Sequence, residues 1–209
     1  MNPVPDVVVS RLPLYLRDLT QLQAQGSEVV SSRELGTRLG VTPAQIRKDL
    51  SYFGRFGRQG RGYNIRYLIQ ELRQVLGLDR EWNTALVGVG RLGRAILNYP
   101  GFRTQGFHIV AAFDSNPEAV GQRMSDLVVQ SMSELEEAIR SRAVDIVILA
   151  VPATQAQTVV DRLAKCAVRA ILNYAPVRVQ TPREMQVRDI DPVLALQSMT
   201  FYLKTATQD

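Results

Sequence analysis

The stretch VGVGRLGRAILNYPG, residues 87–101, constrains the fold more than any other part of this sequence, because it contains the pattern GxGxxG. The pattern follows the apolar run TALVGV and leads into a helical spacing, as the glycine-rich turn of a dinucleotide site does. An acid, Asp114, ends the next apolar run, FHIVAAFD, 21 residues after Gly93. This context predicts a dinucleotide site, and the alternative is a glycine-rich turn in the core.

Each glycine of the pattern has its own expected role. Gly88 permits a tight turn, Gly90 lets the backbone approach a pyrophosphate, and Gly93 lets the helix pack on the strand. The helix N-terminus is expected to hold the negative charge. The predicted contacts of the turn are Gly88, Val89, Gly90, Arg91, Leu92 and Gly93. Asp114 would accept both ribose hydroxyls of the adenosine half and repel a 2′-phosphate, which predicts NAD or NADH rather than NADP.

The apolar runs around this turn have the length of strands and alternate with helical patterns. They cover residues 84–89, 107–114, 143–152 and 168–174. Strands and helices in alternation predict an α/β fold, a Rossmann-like doubly wound parallel sheet with helices on both faces. The predicted start of this domain is residue 78, within the stretch LDREWN, and its predicted end is residue 191.

The first 77 residues have a different pattern. Helical spacing covers residues 7–25, and a capping box from Ser31 to Glu34 opens a short second helix. Thr42 and Pro43 are typical of the N-cap and first turn of a third helix, which is expected to run to about Phe53. The stretch GRFGRQGRGYNI then predicts a hairpin, and a fourth helix follows over residues 65–76. This order is typical of a winged helix-turn-helix domain.

The excess positive charge lies in this N-terminal domain. Of the 25 basic and 20 acidic residues in the chain, 11 basic and 6 acidic ones lie within residues 1–77. In the third helix, Ile46, Leu50 and Phe53 share one face and are expected to pack inward. The remaining positions predict contacts to double-stranded DNA from Ala44, Gln45, Arg47, Lys48, Ser51 and Tyr52, and from the hairpin through Arg58, Gln59, Gly60 and Arg61. The alternative is a small helical interaction domain with a basic surface.

The sequence offers little for catalysis or for a metal site. His108, the one histidine, begins a predicted strand away from the cofactor end, and no other acid/base stands out. Cys166 is the one cysteine, so the chain has no disulfide of its own and no multi-cysteine metal site. With neither a secretory signal nor a membrane-length apolar run, the sequence predicts a cytoplasmic protein. A small NAD-dependent oxidoreductase and a nucleotide-binding scaffold for proteins stay open as alternatives.

Over nearly its whole length the sequence resembles the redox-sensing transcriptional repressor Rex family. The resemblance is carried by IRKDLSYFG, the hairpin ending GYN, VGVGRLGRAILNYPGF, FDSNPE, VILAVPATQAQ, ILNYAPV and VRDIDPVLALQSMTFYL. It implies a homodimer that binds an inverted-repeat operator when NADH is scarce and releases it when NADH binds. It also implies that a final helix, within residues 192–209, is exchanged between protomers, where the alternative is a helix that closes its own domain.

The resemblance further implies roles for single residues. Val151 and Pro152 would flank the cofactor, and the nicotinamide half would lie near Asn173, Tyr174 and Ala175. Arg91, Tyr99 and Asp191 would couple cofactor binding to the angle between domains, although Arg91 has the alternative of a plain phosphate contact.

Two positions depart from the family pattern. Pro192 stands where many relatives have a phenylalanine that covers the nicotinamide pocket of the partner. Gln59 stands where relatives often have the arginine of the wing tip. The family role of each position is therefore open in this chain.

Overall fold

The structure is a computed structural model that describes residues 4–58, 61–166 and 168–206, without the side chains of Arg58, Thr205 and Ala206. The chain divides into two compact units, Met1–Arg80 and Glu81–Asp209. The predicted boundary between residues 77 and 78 lies three residues before that division.

The first unit contains four helices and a small antiparallel sheet among its described residues. The helices are α1 (Asp6–Ala24), α2 (Ser32–Leu39), α3 (Pro43–Ser51) and α4 (Ile65–Val75), and the strands are β1 (Val29–Val30), β2 (Gly57–Arg58) and β3 (Gly62–Asn64). The predicted hairpin is β2–β3, and β1 adds a third strand that the sequence did not predict. A two-residue strand carries too little alternation to be recognised.

Local sequence sets the starts of these helices. Ser31 Oγ accepts a hydrogen bond from Glu34 N–H at 3.0 Å at the start of α2. Thr42 Oγ1 accepts from Gln45 N–H at 3.1 Å at the start of α3, and Pro43 occupies the first turn, where it forfeits no helical bond. The predicted caps are therefore present, while α3 ends at Ser51, two residues before the predicted end at Phe53.

The second unit alternates strands with helices. Its strands are β4 (Trp82–Val87), β5 (Phe107–Asp114), β6 (Arg123–Met124), β7 (Leu127–Ser131), β8 (Ile146–Leu149), β9 (Ala170–Asn173) and β10 (Gln186–Asp189). Its α-helices are α5 (Arg91–Leu97), α6 (Gly101–Thr104), α7 (Leu135–Ser141), α8 (Ala153–Leu163) and α9 (Pro192–Ala206), and a 3₁₀ turn spans Met132–Glu134.

The seven strands form one sheet in the order β10-β9-β8-β4-β5-β7-β6. All neighbours are parallel except β6 and β7, which are antiparallel. Strand order reverses between β4 and β8, which is the order of the doubly wound dinucleotide fold, and such a reversal opens a crevice at the carboxyl ends of the strands. The predicted fold class is confirmed, whereas β6, β7 and β10 were missed.

Apolar layers cover both faces of the large sheet. One layer packs α7 and α8 against it and includes Phe113, Leu135 and Leu163, which are fully buried. The other includes Leu86 and Ile96 and lies against α5. The central strands are buried on both faces, as expected for a parallel sheet, so the turns at their carboxyl ends have a rigid base.

Helix α9 is apolar and exposed. Seven of its large apolar side chains, Val193, Leu194, Leu196, Met199, Phe201, Tyr202 and Leu203, are between 53% and 70% exposed. Within the described residues, no helix combines the length and apolarity needed to span a bilayer.

Candidate functional site

Helix α3 presents two different faces, as its sequence predicts. Ile46 and Leu50 are buried, and Phe53, just beyond the helix, is partly buried against the same core. On the opposite side Ala44, Arg47, Lys48, Ser51 and Tyr52 are exposed, and Gln45 is partly buried. The exposed face is small, polar and basic, which suits the major groove of DNA.

A buried carboxylate that the sequence analysis missed lies on the inner side of α3. Asp49 is fully buried and accepts hydrogen bonds from Arg11 Nε at 2.6 Å and Nη2 at 2.8 Å. Tyr15 Oη and Gln45 Nε2 also donate to it, each at 2.6 Å. Burial alone would raise the pKa of Asp49, but the bonds from Arg11, Tyr15 and Gln45 outweigh burial and hold that pKa below its usual value. The spacing 46, 49, 50, 53 already placed Asp49 on the inner face.

The predicted wing residues are only partly described. Gln59, Gly60 and the side chain of Arg58 lie outside the described residues, and Arg61 is exposed. An open cleft of about 1040 Å³ lies between α2, α3 and the β2–β3 hairpin. The residues lining it include the hairpin arginine Arg55 and three that the sequence did not indicate: Ser32, Arg33 and Tyr63. Arg47 also donates to Ser32 Oγ at 3.1 Å, which ties α3 to the start of α2.

In the second unit, the turn after β4 is closed by steric contacts that only glycine allows. Gly88 has φ +95°, in the left-handed region, and a Cβ there would lie 2.4 Å from the carbonyl oxygen of Ala150. A Cβ on Gly93 would lie 2.0 Å from the carbonyl oxygen of Gly88. A Cβ on Gly90 would meet no atom within 4 Å. The structure thus assigns packing to Gly88 and Gly93 and leaves space above Gly90.

Asp114 connects this turn to the end of β5. Its Oδ2 accepts from Val89 N–H at 2.7 Å, and its Oδ1 accepts from Asn116 N–H at 2.8 Å. Each carboxylate oxygen has a second lone pair, so Asp114 can hold the turn and still accept from another donor.

A cavity of about 550 Å³ lies at these carboxyl ends of the strands. Six predicted cofactor residues line it: Gly88, Val89, Gly90, Asp114, Val151 and Pro152. Arg91, Leu92, Gly93, Asn173, Tyr174 and Ala175 are not among its lining residues. The sequence did not indicate the far wall, which includes Asn116, Met132, Thr154, Gln155, Thr158 and Arg162.

The residues of this cavity fit a dinucleotide. Its volume is within the usual ligand range of about 300–1,000 Å³. The open space above Gly90 leaves room for a phosphate beside the backbone, and Asp114 supplies a carboxylate for a ribose. At the far wall, Arg162 is paired with Glu136 through Nε–Oε1 and Nη2–Oε2 bonds of 2.6 Å, and this pairing lowers the pKa of Glu136 to about 2.

Asn173 is held by hydrogen bonds within its own unit. It is fully buried, and its Nδ2 donates to Val177 O at 2.9 Å and to Asp189 Oδ1 at 2.8 Å. Its Oδ1 accepts from Ala175 N–H at 3.0 Å. Its side chain therefore holds the turn after β9 and fastens it to the end of β10.

Of the three residues with an implied coupling role, Arg91 is exposed on α5. Tyr99 is 61% exposed, and its ring packs edge-on against Phe102, with ring centroids 5.5 Å apart. The ring also lies against Gly101, where a Cβ would be 2.2 Å from Tyr99 Cε1. Asp191 Oδ1 accepts from Val193 N–H at 2.9 Å at the start of α9. A movement of Asp191 would therefore be felt at the first turn of that helix.

His108 and Cys166 have structural surroundings. His108 is the second residue of β5, six residues or about 20 Å from Asp114 along an extended strand, and its Nε2 lies 3.3 Å from Glu81 Oε1. Burial raises the pKa of Cys166, whose Sγ contacts Arg162 O at 3.6 Å. Among the described residues, no group of three or more His, Cys, Asp or Glu side chains could hold a metal ion.

Comparison with known proteins covers both units. The family model described as a putative DNA-binding protein N-terminus matches residues 3–51, and the model described as a CoA binding domain matches residues 79–177. The redox-sensing transcriptional repressor Rex of Roseiflexus sp. (strain RS-1) is 55% identical over 97% of this chain and 92% of its own. That of Carboxydothermus hydrogenoformans is 42% identical over 96% and 97%.

Solved structures agree with these sequence relatives. The structure of RSP in complex with beta-NAD+ and operator DNA has a TM-score of 0.93 and 36% identity, and covers 100% of this chain and 96% of its own. The structure of RSP in complex with beta-NADH has a TM-score of 0.91 and 35% identity, and covers 100% and 98%.

A DNA-binding N-terminal domain followed by a dinucleotide fold with a glycine-rich cavity defines a transcription regulator with its own nucleotide domain. Relatives more than 50% identical over nearly the whole chain make the assignment specific. The chain belongs to the Rex family of redox-sensing transcriptional repressors, and the predicted resemblance is confirmed.

Proposed function

We propose that this protein is a homodimeric repressor that binds an inverted-repeat DNA operator when NADH is low and leaves it when NADH binds. The observation that carries the proposal is the TM-score of 0.93, over 100% of this chain, with a repressor solved with both beta-NAD+ and operator DNA. A protein that regulates transcription in response to a cytosolic cofactor would act in the cytoplasm.

DNA contact is assigned to the exposed face of α3 and to the wing. Lys48 and Arg47 carry charge to guanine or phosphate, Ala44 offers a methyl contact, and Ser51 and Tyr52 are suited to phosphates. In the wing, Arg61 would approach the minor groove, and the sequence extends this assignment to Arg58, Gln59 and Gly60. The excess basic charge of residues 1–77 supports this assignment.

The cofactor is assigned to the cavity at the carboxyl ends of β4, β5 and β8. The turn at Gly88–Gly93 would hold the pyrophosphate, with Arg91 and Leu92 at its outer side, and Asp114 would hold the adenosine ribose. Val151 and Pro152 would flank the cofactor. Tyr174 and Ala175 would lie near the nicotinamide, with Asn173 holding their turn in place. NADH and NAD+ differ at this nicotinamide ring, which is uncharged when reduced and positively charged when oxidised.

Helix α9 is assigned to the dimer. Seven of its large apolar side chains are more than half exposed, so the single chain leaves most of their surface uncovered. Exposed apolar surface of this kind marks a protein contact. We assign α9 to exchange between protomers. Each α9 would pack against the partner subunit and bury its apolar surface in a symmetric dimer.

The coupling between the two sites is assigned to Arg91, Tyr99 and Asp191. A ligand shifts a two-state equilibrium only if it binds the two states with different affinity. A carboxylate near the nicotinamide favours the positive NAD+, so Asp191 must have another partner when NADH is bound. Asp191 lies directly before α9, so a change of its partner between Arg91 and Tyr99 would move one protomer against the other.

Catalysis is not part of this proposal. The relatives are named as repressors, and His108 lies at the end of β5 opposite to Asp114. An NAD-dependent oxidoreductase is the second candidate, because the cavity alone would serve one equally well.

The test is an operator-binding titration with NADH, NAD+ and NADPH in parallel, using sites selected by the protein from randomised duplexes. NADH should dissociate the complex at lower concentration than NAD+ or NADPH, and its absorbance should stay constant. Consumption of NADH with a carbonyl compound would support the oxidoreductase, and lack of salt-dependent DNA binding would exclude a repressor.

A second experiment tests the coupling residues separately. Arg91→Ala and Asp191→Ala should each keep the dimer and NADH binding, but operator affinity should no longer differ between NADH-free and NADH-saturated protein. Sedimentation gives the dimer, calorimetry gives NADH binding, and the ratio of the two operator affinities gives the coupling. If both variants kept the wild-type ratio, this pairing would not be the switch.

A further inference from the structure

The carboxylate of Asp49 is fully used inside the first unit. A carboxylate has about four acceptor positions, and Asp49 accepts two bonds from Arg11, one from Tyr15 and one from Gln45. It is fully buried, and its partners come from α1 as well as from α3. Asp49 therefore has no acceptor position left for DNA, and its effect on DNA must pass through a neighbour.

Gln45 is the neighbour that can transmit this effect. It lies in the first turn of α3, next to the exposed Ala44, and the first turn of a recognition helix is the part that contacts base edges. Because a carboxylate only accepts, Gln45 must turn its NH₂ group to Asp49, and the 2.6 Å Nε2–Oδ1 bond holds it there. The amide orientation is thus fixed by chemistry, with Oε1 directed away from Asp49.

An acceptor on a recognition helix has few partners in DNA. Phosphate oxygens are acceptors themselves, so Oε1 gains nothing from the backbone. In the major groove the hydrogen-bond donors are the amino groups, N6 of adenine and N4 of cytosine. We infer that Asp49 is a positioning residue that presents Gln45 Oε1 as a preset acceptor for the amino group of an adenine or cytosine in each half-site. This inference rests on the proposed DNA binding and adds a specificity-determining pair to it.

The test measures base preference directly. Wild-type protein, Gln45→Ala, Asp49→Asn and the double variant are equilibrated with a randomised duplex library, and the bound fraction is sequenced to give the relative affinity for each base at each position. In the wild type, one position per half-site should favour adenine or cytosine by about tenfold. Gln45→Ala should flatten that position alone.

Asp49→Asn separates positioning from simple support of the fold. An asparagine can offer Gln45 either a donor or an acceptor, so the amide is no longer fixed, and the same position should fall to about threefold preference or less. In the Gln45→Ala background, Asp49→Asn should change no base preference further. Ile65→Val, at a buried apolar position of α4, should lower thermal stability and leave all preferences unchanged.

Gln45→Glu provides a second readout, because it keeps an acceptor at position 45 but cannot donate to Asp49. The two carboxylates would repel each other, so the acceptor is no longer held in place, and the preference for adenine or cytosine should fall to about threefold or less, as in Asp49→Asn. The inference is overturned if Asp49→Asn or Gln45→Glu keeps the wild-type preference, or if Asp49→Asn flattens all positions equally. Failure of the wild type to prefer any sequence would instead overturn the proposed DNA binding.

Discussion

The surface proposed for DNA and the cavity proposed for the cofactor are built on opposite principles. On α3 the proposed contacts are side chains, all exposed except the partly buried Gln45, which donates to the buried carboxylate of Asp49. At the turn after β4 the proposed contact is the backbone itself, and the open space beside it exists because side chains are absent. Removal of side-chain atoms should therefore damage the first site, whereas addition of side-chain atoms should damage the second.

The largest expected effect comes from adding one methyl group under the turn. In Gly93→Ala the new Cβ would overlap Gly88 O at 2.0 Å, so the turn cannot close. NADH binding should be lost, and the free energy of unfolding should fall by about 3 kcal/mol. Gly90→Ala is the matched control, because its Cβ meets open space. It should keep the stability, by thermal unfolding, and weaken only NADH binding, by calorimetry. An equal loss of stability in the two variants would contradict the steric role assigned to Gly93.

Asp114 is the side chain of the cavity to which the adenosine ribose is assigned. Asp114→Ala removes both a ribose acceptor and the bond to Val89 N–H, and should weaken NADH binding by about 10- to 100-fold. NADPH should bind weakly to the wild type and no worse to the variant, because the repelling charge is gone. Tight NADPH binding by the unmodified protein would contradict this role.

On the surface proposed for DNA, removal of a single exposed positive charge should be sufficient to weaken operator binding. Lys48→Ala should weaken operator binding by about 2 kcal/mol and relax preference at one base pair if Lys48 contacts a base. Lys165→Ala, an exposed lysine of the second unit, is the control and should leave DNA binding nearly unchanged. A uniform loss over all sequences would assign Lys48 to phosphate, and a large change in NADH affinity would argue that the two sites are not separate modules.

The smallest effect concerns the ion pair at the far wall of the cavity. The folded pKa of Glu136 is about 2, below its usual 4.5, so its pairing with Arg162 stabilises the fold above pH 4.5 and is lost as the pH falls towards 2. Both side chains are 30% exposed, so solvent limits the contribution to about 1 kcal/mol. Glu136→Gln should lower the free energy of unfolding at pH 7 and flatten its acid dependence. Glu137→Gln, on an exposed side chain, should not.

Features set by neighbouring residues were predictable from the sequence. The caps at Ser31 and Thr42, the inward face of α3 and the glycine turn each depend on residues a few positions apart. The bond between Arg11 and Asp49 joins residues 38 apart, and that between Arg162 and Glu136 joins residues 26 apart. Such pairs leave no periodic signal, so the far wall of the cavity and the contact of Arg11 with Asp49 needed the structure, whereas Gln45 and Asp49 are only four residues apart on α3. Asn173 shows the same limit, since its family motif did not reveal that its Nδ2 donates to Val177 O and, 16 residues away, to Asp189 Oδ1.

The two ends of the large sheet have a consequence for solubility at high concentration. An open sheet edge offers unpaired N–H and C=O groups that can recruit another chain. One edge here is β6, only two residues long, antiparallel to its neighbour and begun by Arg123. The other is β10, where Gln186, Arg188 and Asp189 are exposed. Short and charged edges discourage pairing of strands between neighbouring molecules, so they direct association to surfaces other than the sheet edges.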